Sequence, residues 1–306
     1  MGEREKIPAE LKKGLIFALV SGVFYGFLPI FCKLGLREGL GPAELLTYRF
    51  WIASLMMLAV LAAGDRRLLR PSVRSVTRGL ILGFGFYGIQ SFLYFQSLTY
   101  IPASTATLII YFYPVTVTVL SIAFFRMKVT PGVCASLVLL LAGCALVFYD
   151  AFAKHLSMVG VGLALMSMVG FSVYLIAVQF FLRDEHPLRI TFYAFLATSL
   201  FFSMFHNPLG LFDKGSGAVS IVFLLALVPT VLAISLLYGA IGRIGSAYTS
   251  IFSTLEPVVT VLLAAWVLGE NVVGIQVLGM VLIIGGIMVP NIEQVLVRRR
   301  VKLAEE

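Results

Sequence analysis

The chain has 306 residues, of which 60% are hydrophobic and only 12% charged. A soluble domain carries about 25% charged residues, so most of this surface cannot face water, and a soluble enzyme or binding domain is excluded. The net charge of +8 does not mark a nucleic-acid binder, because Lys and Arg sit in short connections between apolar runs, where membrane topology puts them.

A helix needs roughly 20 apolar residues to cross a hydrocarbon core about 30 Å thick. After a basic N-terminal segment, 1–13, ten such runs follow in order: 14–32, 43–63, 79–99, 103–125, 132–149, 158–182, 188–206, 218–242, 246–268 and 273–292. A basic tail, 293–306, closes the sequence. Helices are expected because lipid offers no partner for free backbone groups. The runs are too long and too uniformly apolar for the strands of a transmembrane barrel. The first run lacks a small-residue cleavage motif and is read as a retained span.

With both termini in the cytoplasm, 18 of the 23 Lys and Arg fall on the inner side and 4 on the outer side, with Arg49 inside a span. That bias orients the chain in a plasma membrane of bacterial inner-membrane type. The stretch from Asp65 to Arg78 holds five arginines and is expected to lie on anionic headgroups. Cys32, Cys134 and Cys144 lie in apolar runs without metal or disulfide spacing and read as small packing residues.

Shifting the chain by 143 residues lays the fourth and fifth runs on the ninth and tenth. Ile101 meets Ile244, Pro114 meets Pro257, Val115 meets Val258, Leu120 meets Leu263 and Gly143 meets Gly286. With a small change of offset, Gly14, Ala18 and Ser21 fall on Gly160, Ala164 and Ser167. The chain therefore divides into repeats at 14–149 and 158–292 with five spans each. An odd number of spans makes the second copy enter the membrane from the opposite side, as in secondary carriers whose substrate site lies between two inverted copies. The expected fold is an all-α membrane protein, ten helices as two inverted five-helix repeats around a central cavity, with spans one to four and six to nine lining it.

These residues resemble the drug/metabolite transporter superfamily, in its ten-helix EamA-type branch. The most specific stretch is Ser246 to Glu270, with Leu255-Glu256-Pro257-Val258 and a terminal Gly269-Glu270. The first copy departs from it: Tyr113-Pro114-Val115 stands for Glu256-Pro257-Val258, and Arg126 to Lys128 replace the Gly-Glu end. The spacing from Pro42 to Arg49 is also similar to the family, whereas the matching place in span seven is Ala194. The resemblance implies transport of amino acids or other small metabolites.

Few polar groups enter the spans. A charged carboxylate near the bilayer centre costs at least about 2.5 kcal/mol, so Glu256 must face a cavity, pair with a cation or stay protonated. It is the candidate for proton coupling and for a cationic part of the substrate; the competing reading is a hydrogen-bonded structural residue. Arg49 falls about 9 Å, and Glu256 about 18 Å, below the outer face at 1.5 Å per residue. Arg49 is expected to meet a substrate carboxylate or Glu256, against the alternative of snorkelling to headgroups. Tyr25, Gln90, Tyr111, Tyr113 and Tyr174 complete the substrate-binding candidates. For any single one of them the residue alone favours helix–helix hydrogen bonding over substrate contact. Pro114 and Pro257 remove a backbone donor mid-span and are expected as a hinge or a locally broken helix that exposes carbonyls to substrate, against the alternative of a static kink.

Catalytic and metal-binding residues are not expected. There is no phosphate-cradling loop, no HExxH and no Gly-x-Ser-x-Gly, and His155, His186 and His206 are dispersed. The expected activity is therefore secondary transport without a cofactor, by an exporter or exchanger of a small polar or amphipathic metabolite such as an amino acid, with proton coupling at Glu256. Uptake of a vitamin, nucleoside or nucleotide-related solute is the alternative within transport. An intramembrane lipid-modifying enzyme and a non-transporting scaffold are the alternatives outside it. The expected partners are the small-molecule substrate and the lipid bilayer, not nucleic acid; a homodimer is left open.

Overall fold

The computed structural model describes residues 9–101, 103–149 and 157–305; the side chains of 103, 104 and 291–305 are outside the description. Most of the expected N-terminal segment, Lys154 and the side chains of the basic tail therefore lie outside the described residues. Among the described residues there are fourteen α-helices and no strand. They are α1 Ala9–Tyr25, α2 Leu28–Arg37, α3 Pro42–Ala63, α4 Val73–Leu80, α5 Ile89–Ser97, α6 Ala103–Ile110, α7 Tyr113–Phe125, α8 Pro131–Val147, α9 Met158–Phe181, α10 Pro187–Ser203, α11 Ser216–Ala226, α12 Ala233–Ser253, α13 Glu256–Leu268 and α14 Gly274–Glu305. Two π-helical turns, Ile81–Gly88 and Leu227–Leu232, join α4 to α5 and α11 to α12.

Five stretches are long and apolar enough to cross a membrane: Ala9–Arg37, Pro42–Ala63, Thr105–Phe125, Met158–Phe181 and Ser216–Ser253. Shorter apolar helices cover Pro131–Val147, Glu256–Leu268 and Gly274–Pro290. The chain is a multi-pass membrane protein. The 38-residue stretch is not one straight rod, because Gly245 takes φ 78° and ψ 164° and breaks α12. Glycine reaches that backbone region at little cost.

The expected hinges have a specific form. Before α7 and before α13 the helix stops for two residues and restarts, with Pro114 and Pro257 in the first turn of the new helix. A proline there removes a donor that has no intrahelical partner anyway. The same device recurs between α1 and α2, where Pro29 follows a break at Gly26–Phe27. Three stretches read as simple spans are thus pairs of half-helices meeting inside the protein.

The contacts obey the repeat. Ser21 Oγ donates to the Ala233 carbonyl at 2.8 Å, and Ser167 Oγ donates to the Gln90 carbonyl at 2.8 Å. These bonds exchange under the offsets that superpose Ser21 on Ser167 and residue 90 on residue 233. Gly14 packs on Ile244 and Arg243 while Gly160 packs on Ile101 and Tyr100, again an equivalent pair. Helices α8 and α14 pack antiparallel: Ser136 Oγ donates to Gly286 O at 2.6 Å, Gly143 lies on Gly279, and Gln276 reaches Val147 O at 3.3 Å. The shift of 143 converts the Gly143–Gly279 contact into the Gly286–Ser136 contact, so this interface is its own mirror under the repeat.

The helix ends show where the copies differ. Both α7 and α13 finish in a left-handed residue, Arg126 at φ 53° and Gly269 at φ 70°, which are repeat equivalents. A side chain in this conformation costs roughly 1–2 kcal/mol. Arg126→Gly is therefore expected to raise the thermal unfolding midpoint in detergent, while Arg126→Ala, which keeps the strain, is expected to leave it unchanged. An equal shift in both would remove the backbone explanation.

Loop contacts sort by side. Arg78 pairs with Asp184 at 2.6 Å, Arg74 also pairs with Asp184, and Arg189 lies 3.6 Å from Glu185. Arg243 pairs with Glu10 at 3.0 Å. These segments all belong to the expected inner side. Lys33 pairs with Glu270, and Lys214 with Glu44 at 2.7 Å, all on the expected outer side.

Candidate functional site

The half-helix junctions converge. Gly22 packs on the backbone of Ser253, and Gly26 on Val259 and the Glu256 carbonyl. The Thr260 hydroxyl donates to Gly26 O at 3.1 Å, taking up a carbonyl released by the break in the first stretch. Glu256 is the first residue of α13, so its carboxyl sits at a helix N-terminus, where backbone N–H groups favour negative charge. Tyr111 stands in the equivalent break before α7, where its ring stacks on Phe148.

Arg49 lies on α3 and is only 3% exposed. Its Nε donates to Thr230 Oγ1 at 2.5 Å and its Nη2 to the Pro229 carbonyl at 3.4 Å. The guanidinium also lies 5.0 Å from the Phe50 ring centroid. Among the described residues no carboxylate is within ion-pair distance of Arg49. Glu256 is close enough to feel its charge but is not bonded to it. Snorkelling does not describe this geometry, since the guanidinium is anchored to another helix and enclosed.

Tyr25, at the end of α1, lies in the same electrostatic neighbourhood as Arg49, Glu256, Tyr87 and Tyr174. Tyr25, Cys32, Tyr94 and Glu256 each retain partial accessible surface. Cys32 packs, as its place in an apolar run suggests, against the cluster of Leu40, Leu45, Tyr48, Ala218, Val222 and Leu225.

The remaining candidates divide. The Tyr174 hydroxyl bonds Tyr238 at 2.7 Å, and its ring packs edge-on against Tyr87 and stacks on Phe171. Tyr87 continues to Phe50, giving an aromatic wall beside Arg49. Tyr113, the repeat counterpart of Glu256, instead donates to Ser250 O at 3.3 Å and is buried. Gln90 is held by Ser91 at 2.9 Å and by Ser167, a helix–helix role. Tyr113, Tyr174 and Gln90 are thus all bonded within the protein, and Arg49 is bonded to Thr230 and Pro229. Thr230 and Pro229 escaped sequence reasoning. A third mid-span proline was the available signal.

One end of this region is closed by buried bonds. Ser246 donates from N and Oγ to Gln179 Oε1 at 2.7 and 2.5 Å, and its Oγ lies 3.2 Å from Ser121 Oγ, tying α12, α9 and α7 together. This is the expected inner end. At the other end the exposed Lys33–Glu270 pair bridges α2 and the residues after α13, and Trp266 of α13 is 84% exposed.

The model of the EamA-like transporter family matches residues 12–149 and 158–292. The chain belongs to the EamA-like transporter family. This family falls within the drug/metabolite transporter superfamily. Among the relatives of this EamA-like protein, the uncharacterized transporter YyaM of Bacillus subtilis (strain 168) is 26% identical over 262 residues, covering 81% of this chain and 83% of the relative. An uncharacterized transporter of Archaeoglobus fulgidus is 26% identical over 293 residues, covering 92% and 98%. A solved crystal structure matches with a TM-score of 0.76 at 20% identity, covering 95% of this chain and 99% of the other, which shows the shared fold.

Proposed function

We propose that this EamA-like protein is a secondary carrier for a small amphipathic zwitterion, amino-acid-like in its charges, and that it works as an exporter or exchanger. The observation that carries the reading is a buried arginine left without a counter-charge. Arg49 is bonded only to neutral groups, and among the described residues no ion pair joins it to Glu256 or to another carboxylate. A buried charge is costly unless paired. A ligand with a carboxylate for Arg49 and an ammonium for Glu256 satisfies both, and the aromatic wall of Tyr87, Tyr174 and Phe50 suits an apolar body between them.

In this reading ten helices cross the plasma membrane as two oppositely inserted copies, residues 14–149 and 158–292, with both termini in the cytoplasm. The sorting of ion pairs by side supports that alternation. The breaks at Pro114 and Pro257 act as hinges, and Glu256 exchanges a proton during the cycle.

Counterflow in liposomes against a panel of amino acids, vitamins and nucleosides, with and without a pH gradient, tests the reading. Transport of a zwitterion is expected to respond to the gradient in wild-type protein and to lose that response in Glu256→Gln. Equal gradient dependence in both would dismiss Glu256 as the coupling group. Selective transport of a nucleoside or vitamin would replace the zwitterion.

A further inference from the structure

A guanidinium can receive a carboxylate with selectivity only if something fixes its orientation, and the group that does so lies outside the sequence-predicted site. Pro229 has no N–H to return to the Leu225 carbonyl, and the helix opens there into the π-helical turn Leu227–Leu232. Such turns recur at functional sites. The Thr230 hydroxyl donates to Leu225 O at 2.8 Å. A guanidinium only donates, so the 2.5 Å contact from Arg49 Nε requires the Thr230 oxygen to accept. The single hydroxyl hydrogen is then committed to Leu225, and a lone pair is committed to Arg49.

The second contact, Nη2 to Pro229 O, falls on the same Nε–Nη2 edge of the guanidinium. That leaves the end-on edge, Nη1 with the second hydrogen of Nη2, without a hydrogen-bond partner among the described residues. Arg49 is only 3% exposed, so this edge is held inside the protein. Bidentate recognition of a carboxylate uses two parallel N–H groups of this kind.

We propose that Thr230, set by Pro229, is a positioning residue that aims the free edge of Arg49 into the chamber and so gives this carrier its preference for carboxylate-bearing substrates. The inference rests on the reading of Arg49 above. The device belongs to one copy only. The repeat equivalent of Thr230 is Tyr87, in the matching π-helical turn Ile81–Gly88, and that of Arg49 is Ala194.

The test uses full-length protein in detergent and measures thermal stabilisation by L-phenylalanine, L-leucine and L-serine, each beside its carboxamide. Each pair keeps the ammonium and changes only the group aimed at Arg49. Wild type is expected to prefer at least one carboxylate, and Thr230→Val to lose that preference roughly tenfold, the scale of a hydrogen bond to a charged group. Affinity for the carboxamide is expected to stay within about twofold on that scale. Thr230→Ser keeps the hydroxyl and is expected to keep the preference; Pro229→Ala, which restores an N–H for Leu225 O, is expected to lose it. Equal losses for carboxylate and carboxamide mean a merely structural role and overturn the proposal. An unchanged preference in Thr230→Val, with loss in Arg49→Gln, overturns the role of Thr230 and leaves the Arg49 site standing. No preference in wild type for any pair overturns both.

Discussion

Replacing Arg49 with glutamine is expected to cut transport of a carboxylate-bearing substrate by about 30-fold or more while leaving the protein without substrate at least as stable. The functional loss follows from removing one member of a desolvated charge contact, an effect of about 2–5 kcal/mol. The stability effect has the opposite sign for a physical reason. Arg49 is a buried cation with no carboxylate partner among the described residues, and such a charge contributes little to folding. The glutamine amide can still donate to Thr230. Counterflow measures the first quantity, and the unfolding midpoint in detergent measures the second. A variant that loses transport and stability together would make Arg49 a structural residue.

Gly83→Ala is expected to destabilise the protein by about 1–3 kcal/mol, the usual cost of forcing extra volume into a packed core. An added Cβ would lie 2.2 Å from the Ala194 carbonyl and 2.9 Å from Ala197 Cβ, so α10 would have to withdraw from the π-helical turn Ile81–Gly88. Gly85, in the same turn, supplies the control: a Cβ there meets nothing nearer than 3.9 Å. Gly85→Ala is expected to be neutral or stabilising, by up to about 1 kcal/mol from helix propensity. The two unfolding midpoints, compared with wild type, decide the matter. Similar changes at both positions would show that close helix approach at Gly83 is not limiting.

The repeat was legible because the small residues that mark it are the ones that touch. Gly14 and Ser21, with Gly160 and Ser167, sit at contacts where only a small side chain or a single hydroxyl fits, so packing preserves the pattern in both copies. Glu256 and Arg49 were legible because a charge in an apolar run has few places to go. Of the breaks, those at Pro114 and Pro257 were legible only as one reading beside a kink, and the one before Pro29 was not legible. In a run that is apolar all round, periodicity carries no phase, and a proline in the first turn of a new helix looks the same as one inside a continuous helix. The same blindness hid the turn at Pro229 and Thr230. Sequence also could not tell which partner a polar group takes: Gln90, Tyr113 and Tyr174 are all bonded within the protein. Cys32 keeps the packing role that its apolar run suggests, against the cluster that includes Leu40, Leu45 and Tyr48.

The most direct test of a chamber open to one side uses that cysteine. Cys134 lies exposed on the outside of the helices and Cys144 is buried, so Cys134→Ser with Cys144→Ala leaves Cys32 as the single thiol. In sealed vesicles, a membrane-impermeant methanethiosulfonate is expected to label Cys32 from the outer face, and a transported zwitterion to slow the labelling. Absence of labelling from either face would mean a dry interior, and would contradict the carrier.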